Sequence, residues 1–184
     1  MIECWFSFWG RSKSEGSRTI VTYNPIGVIR SGHVKAEEAP IQPVYAGGCV
    51  GRVEVFPEYA DGLRDVEGFS HLHLLYHLHK AAPARLSVKP FLNDDEKGVF
   101  ATRSPRRPNP LGLSVVRLLH REGNVLHVEG MDVLDGAPLI DIKPYVARFD
   151  KIEGTRGGWH EAVDEETARK RGRRGYRGTS GGSA

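Results

Sequence analysis

The feature that most limits the fold of this chain is a set of short segments in which apolar and polar residues alternate. Residues 69–79 (FSHLHLLYHLH) show it most clearly: histidine occupies positions 71, 73, 77 and 79, whereas leucine or tyrosine occupies positions 72, 74, 76 and 78. A period of two is typical of a β-strand that has one buried face. This segment is therefore predicted to turn apolar side chains toward a core and imidazoles away from it.

Six further segments have strand character and are separated by turns that contain Gly or Pro. They are residues 26–30, 48–56, 98–103, 113–120, 125–129 and 139–143. Residues 57–66, which begin with proline, and residues 161–171, in which acids precede bases, are predicted to be short helices. Many short strands with few helices indicate an all-β, mainly antiparallel fold, either a barrel or a sandwich.

The positive charge of the chain is concentrated at its C-terminal end. The whole chain has a net charge of +3. Residues 1–19 contribute +1 and residues 169–184 contribute +6, so the remaining residues have a net charge of −4. The Gly-rich C-terminal segment has almost no apolar side chains and is predicted to be disordered. We expect a flexible lead-in over 1–19, a barrel domain over 20–150 and a C-terminal extension over 151–184.

The composition argues against several classes of protein. Two cysteines are too few for a disulfide framework or for a zinc module built from paired CxxC motifs. No stretch approaches ~18 apolar residues, so no membrane helix is expected. The apolar N-terminal run contains Glu3 and no basic region precedes it, which is unlike a signal peptide, so we expect a cytoplasmic protein. Gly-rich dinucleotide and P-loop motifs are absent.

The histidine run allows two interpretations. Imidazoles at positions i and i+2 of one strand can converge on a metal ion. Four imidazoles along one strand, however, extend too far for one ion, and no acidic cluster nearby completes a ligand set. We therefore predict no metal site and treat His79, at the strand end, as a candidate for ligand binding.

A second chemical feature is the segment 100–116 (FATRSPRRPNPLGLSVV), in which prolines and arginines are interleaved. Proline fixes φ and keeps the preceding residue out of helical conformations, so a stiff, extended loop is predicted. Guanidinium groups on a stiff loop suit carboxylate or phosphate recognition, although a rigid surface connector is the alternative. The candidate residues are Arg103, Arg106, Arg107 and Asn109.

A third feature is the segment 131–145 (MDVLDGAPLIDIKPY), which contains the turn signal Asp135-Gly136. Aspartates in turns commonly accept hydrogen bonds from their own backbone, but such a carboxylate can also act as a base or bind a ligand amine. Asp132 and Asp141 lie close by in sequence, and Lys143 and Tyr145 end the next strand, where they are predicted to face the same site.

Four segments together resemble a known family. They are IGVIRSGH (26–33), FSHLHLLYHLH (69–79), GVFATRSPRRPNPLGLSVV (98–116) and DVLDGAPLIDIKPYV (132–146). Over about residues 25–147 the chain resembles the TsaA/YaeB-like (TrmO) group of tRNA (N6-threonylcarbamoyladenosine)-N6-methyltransferases. The resemblance implies a small six- to seven-stranded β-barrel with short helical excursions and flexible termini, which binds S-adenosyl-L-methionine as a homodimer. It also implies methylation of N6 of threonylcarbamoyladenosine at tRNA position 37, beside the anticodon.

The resemblance further implies particular cofactor contacts. They fall at Pro43, Val44, Tyr45, His79, Lys80, Arg103, Val128, Gly136, Ala137, Pro138 and Leu139. Chemical reasoning adds Arg103 as the partner of the cofactor's carboxylate and Asp135 as the base. We expect Arg106, Arg107, Asn109, Lys143 and Tyr145 to contact the tRNA anticodon stem-loop. The alternatives are a methyltransferase of this fold with a small-molecule substrate, and a non-enzymatic module that binds S-adenosyl-L-methionine or RNA.

Overall fold

The structure, a computed structural model, describes residues 19–37 and 39–172. The strands are β1 (Gly27–Ser31), β2 (Val50–Val55), β3 (His71–His77), β4 (Ser87–Val88), β5 (Lys97–Gly98), β6 (Leu111–Glu122), β7 (Val125–Glu129) and β8 (Ala137–Pro144). The α-helices are α1 (Ala147–Asp150) and α2 (Glu165–Gly172), and short 3-10 helices span Pro43–Tyr45, Pro57–Leu63, Val66–Gly68, Val99–Ala101 and Gly158–Ala162. The flexible lead-in is predicted over 1–19 and the disordered C-terminal segment over 169–184, and of these residues 1–18 and 173–184 lie outside the described residues. Residues 169–172 are helical, as the end of α2, so the prediction of disorder is wrong there.

Six strands close into an antiparallel barrel in the order β1-β2-β7-β6-β3-β8. Apolar side chains fill its interior, among them Leu72, Leu74 and Tyr76 of β3, while the histidines of β3 face outward and are less buried. The prediction of a mainly antiparallel β-barrel is thus confirmed, as are the two faces of the histidine strand. In the part of the chain that the structure describes, no helix is long and apolar enough to cross a bilayer.

The strand predicted at 98–103 is wrong. β5 ends at Gly98, and the backbone turns into a 3-10 helix that Thr102 closes. The Thr102 amide and hydroxyl both donate to the carbonyl of Val99, at 3.1 Å and 2.9 Å. A threonine side chain that bonds locally in this way offers the backbone an alternative to a strand ladder.

The helix predicted at 161–171 begins later than expected, at Glu165. Asp164 sets this start because its Oδ1 accepts a hydrogen bond from the amide of Thr167 at 2.8 Å. An aspartate in this position satisfies an amide that the first helical turn leaves unpaired, and the same bond lowers the pKa of the Asp164 carboxyl.

Candidate active site

A cavity of about 490 Å³ opens where β3 ends and β6 begins. Its walls are formed by residues 39–42, residues 76–82, most of the loop 102–107, and residues 132–134 with Ala137 on either side of the Asp-Gly turn. This volume lies within the ~300–1,000 Å³ that small-molecule sites usually have. The Pro-rich loop and the Asp-Gly turn, which are far apart in sequence, therefore meet at one end of the barrel.

A chain of hydrogen bonds leads from the barrel core to this cavity. The buried Ser114 hydroxyl donates to Asp132 Oδ1 at 2.6 Å, and the Tyr76 hydroxyl lies 2.9 Å from the same serine oxygen. Because the serine proton is used on the carboxylate, the tyrosine is the donor in the second bond. Tyr76 and Asp132 both line the cavity, so this series of hydrogen bonds ends at a carboxylate that a ligand can reach.

Burial raises the pKa of Asp132 to about 6. The hydrogen bond from Ser114 and the positive charge of Arg103 lower this pKa, but they do not offset the loss of solvation. Burial also raises the pKa of Tyr76, so this phenol stays protonated and remains a donor. Asp132 is therefore an ionised carboxylate at neutral pH that accepts a proton more readily than a surface aspartate does.

Several basic groups line the wall of the cavity, among them Arg103 and His79. The exposed Arg103 guanidinium donates to the side-chain oxygen of Gln42, which joins the Pro-rich loop to the segment 39–42. Burial, with help from the charge of Lys80, lowers the pKa of His79, which keeps this imidazole neutral. Arg103 is thus an exposed cation at the cavity that can meet an anionic group.

The sequence around this cavity matches that of a known family. Residues 28–151 match the family described as the tRNA-methyltransferase O N-terminal domain. The chain belongs to the TrmO family.

Relatives of the TrmO family come from archaea, bacteria and animals. A "Probable S-adenosyl-L-methionine-binding protein" of Pyrococcus abyssi is 51% identical over 142 residues, 77% of each chain. A human tRNA (adenine(37)-N6)-methyltransferase is 36% identical over 133 residues, which are 68% of this chain and 30% of the human one. The crystal structure of TrmO from Pseudomonas aeruginosa superposes with a TM-score of 0.65 at 37% identity, covering 77% of this chain and 63% of that one. The chain therefore spans only part of the bacterial and human proteins.

The structure brings some of the predicted TrmO cofactor residues to the cavity and not others. Four of them line it: His79, Lys80, Arg103 and Ala137. Pro43, Val44 and Tyr45 form a 3-10 helix next to the cavity wall but do not line the cavity. Gly136 forms the turn with a φ of +79°, and Pro138 pairs with Val28 of β1. Val128 and Leu139 are fully buried in the barrel core.

The predicted substrate residues Arg106 and Arg107 line the cavity, but both hold their own loop in place. Arg107 Nη1 donates to the carbonyl of Thr102 at 2.8 Å and approaches two further carbonyls of the loop. Arg106 Nε donates to the carbonyl of Pro83 at 3.1 Å. These guanidinium groups stabilise the loop that carries Arg103, because they satisfy backbone acceptors that a turn leaves open.

The other predicted site residues lie away from the cavity. Asp135 does not line it, and its Oδ1 accepts a hydrogen bond from the amide of Ser31 at 3.1 Å, which is the structural use of a turn aspartate. Lys143 forms an ion pair of 2.7 Å with Asp141, and the ring of Tyr145 packs against His73. Asn109 is exposed. Among the described residues, no group of three or more His, Cys, Asp or Glu side chains is placed to hold a metal ion.

Sequence reasoning does not select two residues of the cavity, Asp132 and Phe91. Asp132 stands out in the sequence only as a neighbour of Asp135, since its burial depends on Tyr76 and Ser114 from distant strands. Phe91 lines the cavity with 54% of its surface exposed, yet it lies in a segment without any periodic pattern. No local signal identifies either residue.

Replacing Gly112 with alanine is expected to disturb the cavity floor. Gly112 faces Tyr76 across the β3–β6 pair, and a Cβ there would lie 2.3 Å from Cε2 of the tyrosine ring. The ring must then move, so we expect a loss of about 1–3 kcal/mol in the free energy of unfolding, measured by urea denaturation. Gly62→Ala is the matched control, since a Cβ at position 62 would have no atom within 4 Å. Equal stability of the two variants would contradict the packing described.

Proposed function

We propose that this chain is an S-adenosyl-L-methionine-dependent tRNA methyltransferase that methylates N6 of threonylcarbamoyladenosine at position 37, beside the anticodon. The observation that carries the proposal is the cavity in which Asp132, with its raised pKa, lies within electrostatic reach of Arg103. This reaction requires a base that accepts the proton of N6 and a cationic group that binds the carboxylate of the cofactor. Membership of the TrmO family supplies the reaction class.

The residues of the cavity fit S-adenosyl-L-methionine. Arg103 offers guanidinium donors to its carboxylate, and the neighbouring apolar side chains Ile41, Leu78 and Leu111 offer contacts to its adenosine. The negative charge of Asp132 is complementary to its cationic sulfonium. When bound, the cofactor supplies a methyl carbon that the sulfonium makes electrophilic. His79, Lys80 and Ala137, which also line the cavity, complete the proposed cofactor contacts.

The proposed task of Asp132 is to accept the proton that N6 loses on methylation. The N6 atom of threonylcarbamoyladenosine belongs to a carbamoyl group and is a weak nucleophile, so removal of its proton assists attack. A carboxylate whose pKa burial has raised to about 6 is still ionised at neutral pH and is a stronger base than an ordinary aspartate. The Ser114 and Tyr76 hydroxyls hold the carboxylate in one orientation.

An RNA base can enter this cavity from a single-stranded loop. Unpaired bases of RNA loops are commonly recognised by stacking on aromatic side chains. Phe91 lines the cavity and is 54% exposed, so we propose that it stacks on the target base. Arg106, Arg107, Asn109, Lys143 and Tyr145 stay predictions as direct tRNA contacts. Asp135 stays an alternative base. Action on tRNA implies a cytoplasmic location.

The proposed homodimer has a candidate interface next to the cavity. Leu111 and Leu113, on the same face of β6, line the cavity and are 41% and 53% exposed. Clustered exposed apolar side chains commonly mark association surfaces. Sedimentation velocity is expected to give the mass of two chains, and a monomer mass at micromolar concentration would contradict this assembly.

Transfer of a labelled methyl group to bulk tRNA tests the reaction class. We expect label from S-adenosyl-L-methionine in tRNA and none in a pool of small metabolites. Label in the metabolite pool alone would favour a small-molecule methyltransferase. Tight cofactor binding without transfer to either pool would favour a non-enzymatic binding module.

A further inference from the structure

Residues 158–172, which we call the strap, follow the barrel and contact two segments next to the cavity. The strap consists of the 3-10 helix Gly158–Ala162, a short connection and the helix α2. The match to the TrmO family domain ends at residue 151, so the strap lies outside that domain. Its role in this chain has to be found from its own contacts.

The start of the strap is bonded to the backbone that leads into the Pro-rich loop. Trp159 Nε1 donates to the carbonyl of Ala101 at 2.8 Å, and Ala101 lies two residues before Arg103. The Trp159 ring stacks on the ring of His160, with the two centroids 3.7 Å apart. This stacking favours one orientation of the indole and therefore one direction of its N–H group. The strap thus holds the backbone just before Arg103.

The end of the strap is bonded to the segment that carries the hydrogen-bond partner of Arg103. The carbonyl of Gly172 accepts a hydrogen bond from the amide of Ile41 at 2.8 Å. Ile41 directly precedes Gln42, whose side-chain oxygen accepts a hydrogen bond from the Arg103 guanidinium. The Gln42 side-chain amide also donates to the carbonyl of Ile41 at 2.6 Å, which fixes the side chain relative to this backbone. The two ends of the strap therefore hold both the loop that carries Arg103 and the side chain that it contacts.

The contact at the strap end leaves no room for a side chain. Gly172 is buried, and a Cβ at this position would lie 2.6 Å from Cγ of the Tyr45 ring. Tyr45 belongs to the 3-10 helix that directly follows Gln42. Arg171 adds an ion pair of 3.2 Å with Asp94. Glycine at position 172 thus allows the strap end to pack closely against the segment that contains Gln42.

We infer that the strap positions Arg103 to bind the carboxylate of S-adenosyl-L-methionine, with Trp159 and Gly172 as its positioning residues. This inference rests on the proposed function, which assigns Arg103 to that carboxylate. Arg103 is exposed, and fixing an exposed arginine side chain when a ligand binds costs conformational entropy. Because the strap orders the loop and Gln42 before the cofactor arrives, less of this cost remains at binding.

Two substitutions in the full chain test the inference. Trp159→Phe removes the N–H donor and keeps an aromatic ring, and Gly172→Ala places a methyl group where the packing has no room. The matched controls are Tyr59→Phe, which removes a polar hydrogen from an exposed aromatic side chain, and Gly62→Ala, where a Cβ would have no atom within 4 Å. Neither control residue lines the cavity. All four substitutions are also made in the Arg103→Ala variant, and calorimetry gives the Kd of S-adenosyl-L-methionine for each protein.

We expect each strap substitution to weaken cofactor binding roughly 3–10-fold in the wild-type background, the effect of about one net hydrogen bond. The controls should leave the Kd unchanged. In the Arg103→Ala background the strap substitutions should weaken binding by less than about twofold, because the positioned group is no longer present. Thermal unfolding reports whether each variant folds, and Trp159→Phe decides the outcome if Gly172→Ala does not fold.

An equal loss of affinity in both backgrounds would mean that the strap supports the cavity as a whole, and it would overturn the inference. An unchanged Kd for Trp159→Phe in the wild-type background would overturn it as well. If the coupling to Arg103 is found but the wild type transfers no methyl group to tRNA, the inference stands and the proposed function fails. If the wild type does not bind S-adenosyl-L-methionine, both fail.

Discussion

Replacing Asp132 with asparagine is expected to lower kcat/KM for methyl transfer by about 10²–10⁴-fold, because the variant cannot accept a proton from N6. Asparagine keeps an oxygen that can accept the hydrogen bond from Ser114, so the cavity floor should persist. The wild-type rate should fall as the pH drops below about 6, where Asp132 becomes protonated. Initial rates measured across this pH, from the acidic to the mildly alkaline side, test both effects.

The same substitution should stabilise the fold at neutral pH. The pKa of Asp132 is about 6 in the folded chain and ~3.9 for an unfolded aspartate, so the folded state binds more protons between these values. Stability therefore falls as the pH rises through this window, and above it the ionised carboxylate costs up to about 3 kcal/mol. Asp132→Asn is expected to recover much of this free energy of unfolding. An inactive but more stable variant is the result expected when a buried charged group serves the reaction at the expense of stability.

Asp135→Asn is the matched control for Asp132→Asn. Its remaining side-chain oxygen can still accept the bond from the Ser31 amide, so the turn should hold. We expect near wild-type kcat/KM for this variant. If Asp135→Asn instead abolishes transfer while Asp132→Asn does not, Asp135 is the base and the assignment from cavity geometry is wrong.

Replacing Arg103 with alanine is expected to weaken binding of S-adenosyl-L-methionine by about 10–100-fold. A charge-assisted hydrogen bond to a carboxylate contributes ~1.5–3 kcal/mol, and the variant leaves the cofactor's carboxylate without this partner. The fold should be unaffected, since Arg103 is exposed and its side chain donates to Gln42 alone among the hydrogen bonds described. Isothermal titration calorimetry gives the Kd, and thermal unfolding checks the fold.

Arg52→Ala serves as the control for Arg103→Ala. Its side chain is 58% exposed on β2 and does not line the cavity. Wild-type affinity in this control together with the loss in Arg103→Ala would support the assignment. An unchanged Kd for Arg103→Ala would remove this arginine from the cofactor site.

The barrel could be predicted from the sequence because its signal is local. Each strand needs only alternating residues, and the apolar face of residues 72, 74 and 76 is visible without any knowledge of its partners. The segment 98–103 differs because its β-branched and aromatic residues suit a strand, whereas Thr102 bonds back to Val99 and closes a 3-10 turn. Local hydrogen bonding decides the conformation there.

The site could be predicted only in part because its chemistry depends on burial and on competing partners. Arg107 has the sequence context of an anion-binding residue, but its Nη1 donates to carbonyls of its own loop. The sequence favours Asp135 as a reactive carboxylate because this residue lies in the Asp-Gly turn. In the structure Asp132 lines the cavity instead, and its burial raises the pKa of its carboxyl. Sequence reasoning finds the loop and the turn, and the fold determines which member of each faces the cavity.

The central claim is tested most directly by mass spectrometry of nucleosides after reaction with S-adenosyl-L-methionine that carries a labelled methyl group. Two tRNA substrates of the same sequence are used, one with threonylcarbamoyladenosine at position 37 and one with unmodified adenosine there. We predict a labelled methyl group on N6 of the threonylcarbamoylated nucleoside and none on the unmodified tRNA. Equal labelling of both substrates, or label at another nucleoside, would contradict the claim.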